Sequence, residues 1–201
     1  MPVYELSSAG SVKTGRTLYT SMNAGNQYGA MVPIASVSFD VDSSGGFAFS
    51  NIPQTYQDLQ ISLYGRDTSS NTAITGGIYL NTIATTSWSS TFLRGDGSSA
   101  TSSRTTTSSP TYGGGFVVPA ASATANIFGA TLIHILNYAN TTTNKTVLSR
   151  SASDLNGSGL TELRVSLWAN TNAVTRIDVA GSANWKAGTT ATLYGIRAVS
   201  S

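Results

Sequence analysis

The chain reads as an all-β protein, an antiparallel β-sandwich of the jelly-roll kind with about ten strands, preceded by an irregular N-terminal arm. Three observations lead there. From Ile34 onward nearly every apolar cluster alternates with polar residues at period two, the pattern of half-buried strands. No segment sustains a helical period. The apolar segments also recur at the spacing of a sandwich or barrel, and at 201 residues one large β domain is the economical reading.

Taken in order, residues 1 to 33 are polar and glycine-containing, with isolated apolar residues such as Leu6, Leu18 and Met31, and they are expected to form a docking arm. The jelly roll then runs from 34 to 201. IASVSFDVD places Val37, Phe39 and Val41 inward and Asp40 and Asp42 outward, SSGG breaks the strand, and GFAFSN returns with Phe47 and Phe49 inside. After a turn at Pro53, Leu59, Ile61 and Leu63 point one way while Asp58, Gln60, Ser62, Tyr64 and Arg66 point the other. Further strands are expected at 74–81, 88–95, 112–119, 125–138, 145–152, 160–169, 173–181 and 189–199. Residues 97 to 111, GSSATSSRTTTSSPT, have too few large apolar side chains to pack and read as an exposed loop.

Composition excludes several functions. Only 10% of residues are charged, against about 25% in an average domain, and Ser, Thr, Asn and Gly fill the gap. The formal charge of +2 is scattered, with no basic run to mark a nucleic-acid surface. There is no cysteine, so disulfides and Cys-containing zinc sites are excluded. The most apolar stretch, IFGATLIHIL at 127 to 136, is too short to span a bilayer, and the N-terminus lacks the apolar core of a secretory signal, so neither membrane insertion nor export is expected.

Candidates for chemistry are sparse. His134 is the only histidine, shares a face with Leu132 and Leu136, and reads as a structural residue without a serine-elbow motif beside it. Asp40 and Asp42 are the one pair of carboxylates with a glycosidase-like separation, and adjacent acids on a wet strand face are their ordinary explanation. DLNGSG at 154 to 159 begins like a calcium loop but holds Ser158 and Val165 where acidic or amide ligands belong, so it reads as a tight turn. The glycines at 113 to 115 read as hairpin or bulge residues. No cofactor or metal is expected. A glycan-binding site would draw on Trp88, Arg94 and Asp96 with the Ser/Thr tract; Trp185 also flanks a loop, and Trp168 shares the polar face of its strand with Arg164 and Ser166.

Several phrases together resemble small virion structural proteins of tailed bacteriophages. They are GFAFSNIPQTYQDLQISLYGRD, NTIATTSWSSTFLRGDGSSA, FGATLIHILNYANTTTNKTV, LWANTNAVTRIDV and ATLYGIRA, led by YTSMNAGNQYGAMVPIASVSF; the pairing of IPxTYxDLQ with ATLYGI is the strongest element. The resemblance implies a jelly-roll component of the virion, in the tail or its fibres or decorating the capsid, commonly a homotrimer and without catalytic residues. It departs at Asn137, where an acid is expected before the tyrosine. In that setting Gln60, Ser62, Tyr64 and Arg66 become candidates for a subunit interface, where Tyr and Arg are enriched and Lys is depleted. The expected partners are further copies of the chain, other tail or capsid proteins, and a host surface glycan. The competing classes are a glycan-binding module and, resting only on Asp40 and Asp42, a glycosidase.

Overall fold

A computed structural model describes residues 16–20, 30–43, 45–82, 87–106 and 114–198. The described residues contain thirteen strands: β1 (Arg16–Thr20), β2 (Met31–Phe39), β3 (Phe47–Ser50), β4 (Asp58–Gly65), β5 (Ala73–Leu80), β6 (Trp88–Gly95), β7 (Ala100–Thr105), β8 (Gly114–Pro119), β9 (Gly129–Leu136), β10 (Lys145–Asp154), β11 (Gly159–Trp168), β12 (Arg176–Ala180) and β13 (Thr190–Ile196). They make a nine-stranded sheet, in the order β1-β2-β13-β4-β9-β10-β11-β6-β7, and a four-stranded sheet, β3-β12-β5-β8. All pairings are antiparallel.

Within this arrangement lies an eight-stranded jelly roll. Strands β2, β3, β4 and β5 pair in reverse order with β13, β12, β9 and β8, so that β2-β13-β4-β9 forms one wall and β3-β12-β5-β8 the other. Two hairpins are inserted into it, β6–β7 between β5 and β8, and β10–β11 between β9 and β12. Both extend the first wall beyond β9.

The alternation read from the sequence builds the core. Leu59, Ile61, Leu63, Ile133, Ile135 and Leu193 from the first wall meet Phe47, Phe49, Ile78, Phe116, Val118 and Ile177 from the second, all buried. Trp185, between β12 and β13, is fully buried, with its ring 5.9 Å from Phe47 and stacked 6.3 Å from Phe116. It plugs the core and is not an exposed platform for a sugar. Tyr138 is equally buried and its hydroxyl donates to the Pro53 carbonyl, tying the approach to β4 against the end of β9.

Four expectations need correction. The first strand of the roll begins at Met31 and ends at Phe39, so Val41 lies beyond it and is exposed. Within the stretch expected to be an irregular arm, Arg16–Thr20 pairs as β1 with the Ala35–Phe39 half of β2; residues 1–15 and 21–29 lie outside the described residues. Part of the Ser/Thr tract is a strand: β7, ATSSRT, is exposed along its whole length and joins β6 through the backbone ladder, which needs no apolar side chain. Residues 107–111 of the tract lie outside the described residues. Finally, Gly115 is no turn residue but sits inside β8, where a Cβ would come within 2.8 Å of the Arg164 side chain.

Candidate functional site

The two inserted hairpins reverse the usual polarity of a sheet. On the inward side of β6 and β11 the paired rows are Trp88–Trp168, Ser90–Ser166, Phe92–Arg164 and Arg94–Glu162. The two tryptophans stack at 6.2 Å. Glu162 is nearly inaccessible and accepts from Arg94 Nε and Nη2 at 2.8 and 2.6 Å through one oxygen, and from Arg164 Nε at 2.8 Å through the other. Both guanidinium groups lie over the Phe92 ring, at 5.2 and 4.6 Å from its centroid. Among the described residues only β8, the edge of the second wall, reaches across this side: Ser149 donates to the Gly115 carbonyl and the Val117 N–H donates to Ser151. A charge cluster replaces hydrophobic packing where the second sheet runs out.

The outward side is apolar. Leu93, Leu163, Val165 and Leu167 are 56, 46, 44 and 40% exposed. Leu163 stands opposite Leu93 across the β6–β11 ladder, and Val165 stands opposite Leu148 on β10. Leu132 on β9 carries the exposed surface toward β4, where it faces Ser62. One sheet face therefore has a hydroxyl- and amide-rich half on β4 and an aliphatic cluster on β6 and β11, with the exposed Arg150 of β10 standing between Leu163 and Leu132. An exposed aliphatic cluster of this kind marks a contact site.

The interface candidates divide on this face. Gln60, Ser62 and Tyr64 do point outward, Ser62 and Tyr64 exposed and Gln60 half-buried, with Tyr64 stacked on Phe128 at 5.0 Å. Arg66 does not. One residue past the end of β4 its side chain turns inward, is 6% exposed, and donates to the carbonyls of Thr124 and Ile127 at 2.7 Å each, Ala123 at 2.9 Å and Ala121 at 3.4 Å. Strand parity stops at the strand end; the guanidinium organises the 121–127 loop and offers nothing to a neighbour.

The glycan candidates are not brought together. Trp88 is 4% exposed inside the Trp88–Trp168 pair, Arg94 is committed to Glu162, and the two stand at opposite ends of β6, roughly 20 Å apart at strand rise. Asp96 is spent on its own turn: it accepts from the N–H groups of Ser98 and Ser99 and from the Ser99 hydroxyl, which hold its carboxyl below the ordinary 3.8, the Ser99 N–H foremost. Trp168, set by the alternation on the polar face of its strand, is fully buried.

Asp42, Asp58 and Asp67 are likewise engaged in structure. Asp40 and Asp42 follow the end of β2 and share no strand face. Asp42 accepts from the Ala187 N–H at 2.9 Å and from Lys186 Nζ at 3.0 Å, which together lower its pKa from 3.8. His134 Nε2 lies 3.4 Å from Asp58, whose other oxygen accepts the Asn137 N–H at 2.7 Å. Asn137 has a φ of 49°, a conformation asparagine tolerates. Asp67, which sequence reasoning missed, is fully buried and accepts three backbone N–H groups, from Ser69, Ser182 and Ala183. The 154–159 segment is the β10–β11 turn, with Asn156 and Gly157 at positive φ and the Leu155 N–H donating to Ser158. Among the described residues no three His, Asp or Glu side chains gather in one place.

No protein-family model and no curated protein matches the chain. A crystal structure of a protein of unknown function from Shewanella oneidensis MR-1 aligns at 11% identity over 94% of this chain and 78% of that one, with a TM-score of 0.22. A likeness that low carries no structural argument.

Proposed function

We propose that this chain is a non-enzymatic structural component of a tailed-bacteriophage virion, a tail- or fibre-associated jelly-roll module that assembles as a homotrimer and docks through its N-terminal segment ahead of β2. The sequence resemblance supplies the particle. The observation that carries the assembly is the reversed polarity of β6 and β11, which sets leucines and a valine toward solvent while burying charge. A closed ring formed by copies of one chain covers such a face on each of them. The engagement of Asp42, Asp67 and Glu162 in structural hydrogen bonds supports a non-enzymatic role.

The test is to locate the chain on purified particles of the encoding phage by cryo-electron microscopy. Threefold density along the tail or its fibres is the expected result. Density on the head surface moves the protein to a capsid-decoration role, and absence from the particle overturns the proposal.

A further inference from the structure

A second surface lies on the other wall, on the outward side of β3, β12 and β5. A groove of about 450 Å³ opens there, lined by Ala48, Tyr79, Thr82, Arg176, Asp178 and Ala180 among others. It is a shallow depression, broadly open to solvent. Its middle row is set by register: Asp178 stands between Ala48 on β3 and Tyr79 on β5. Asp178 is gripped by Arg176 two residues earlier, Nε at 2.9 and 3.1 Å from its two oxygens and Nη2 at 2.6 Å from one of them. Arg176 Nη1 makes no hydrogen bond among the described residues, and the carboxylate keeps lone pairs to spare.

The groove's end is held in place. The Asn81 side chain donates to the Ala173 carbonyl and accepts from the N–H groups of Thr175 and Arg176, while its own N–H donates to the Arg176 carbonyl. This clamp carries Asn81 and Thr82 at φ of 55° and 59°. A β-branched residue there is strained, and strain of this sort persists only where the surroundings enforce it.

We infer that this groove is a binding site for a neutral saccharide. The reasoning is chemical. The Arg176–Asp178 pair carries no net charge, which disfavours a phosphate or an ammonium ligand. It presents a donor beside acceptors, the complement of adjacent hydroxyls that each donate and accept. Ala48, Ala180 and the neighbouring Tyr79 give the small, apolar and aromatic surface that suits the C–H face of a sugar ring. The site is distinct from Trp88, Arg94 and Asp96. It lies on the wall opposite the aliphatic cluster, so its test does not depend on assembly.

The experiment is a heteronuclear NMR titration of the ¹⁵N-labelled full chain with glucose, galactose, mannose and N-acetylglucosamine, each to tens of millimolar, with inorganic phosphate as a separate arm. Saturating shifts confined to the amides of residues 46–48, 79–82 and 176–180 are expected for at least one sugar. Asp178→Asn should weaken that sugar about tenfold or more, as loss of a charge-assisted hydrogen bond requires. Ala48→Trp, which fills the groove from an outward position, should abolish binding. No saturating shift with any of the four sugars, shifts elsewhere on the surface, a response to phosphate alone, or undiminished binding by Ala48→Trp would each overturn the inference.

Discussion

Replacing Leu163 with aspartate tests the aliphatic cluster of the large sheet most directly. Leu93, Leu163, Val165 and Leu167 each keep about half their surface in water, so covering each is worth about 1 kcal/mol per copy, half the value of full burial. Leu163→Asp removes one such contribution and places a carboxylate where a neighbour would desolvate it, a penalty of several kcal/mol that the exposed Arg150 opposite on β10 offsets only in part. Together these predict a dissociation constant at least about a hundredfold weaker, at 1.4 kcal/mol per tenfold. The isolated subunit should hardly notice: the position is exposed, and such changes usually stay within about 0.5 kcal/mol. Light scattering coupled to size exclusion should give three times the 20.8 kDa chain mass for the parent and one chain mass for the variant, with similar circular-dichroism melts. The reasoning fails if the parent is monomeric at high concentration, or if Leu163→Asp remains trimeric.

Other substitutions probe the interior. Glu162→Ala strands two guanidinium groups and should cost about 3–5 kcal/mol, the usual result of removing one partner from a buried ion pair, read as a lower urea midpoint. Arg66→Ala should cost about 3 kcal/mol, since four carbonyls lose a charged donor; Arg66→Lys should restore only part, because one ammonium cannot span them, and neither change should alter subunit number. Acid should destabilise the fold in a defined window. Asp42 and Asp96 both have folded-state pKa values lowered from 3.8, so the stability they provide is complete above that value and is lost as pH falls through the lowered ones. Urea midpoints measured against pH should show this decline, and Asp42→Asn should make it shallower.

Which parts of this fold could be read from the chain follows from what period two encodes. Alternation separates a strand's faces but does not say which one is inward. For β4 the apolar face is the buried one, and the reading holds from Leu59 to Leu63. In β11 the face bearing Glu162, Arg164, Ser166 and Trp168 is inward, because the charges neutralise one another and Trp168 meets Trp88 across the ladder. That choice depends on a partner strand about seventy residues away, and no local pattern announces it. β7 was missed because it has no apolar face at all. Asparagine marks the left-handed positions: of the six non-glycine residues at positive φ among those described, five are asparagines, including Asn81 and Asn137. Lys145 is the opposite case, a fully buried lysine whose Nζ donates to the Thr143 and Thr171 carbonyls; burial lowers its pKa, and nothing in KTVLSRSA suggests it.

The four strands beyond β9 form an overhang. Measured at about 4.8 Å per strand they project some 19 Å past the closed roll, stiffened by continuous ladders from β9 through β7. In the proposed trimer, neighbours that grip one another by this cantilever would hold their jelly rolls at arm's length. That assembly would leave the small wall uncovered on every copy, a row of identical faces turned outward around a common axis.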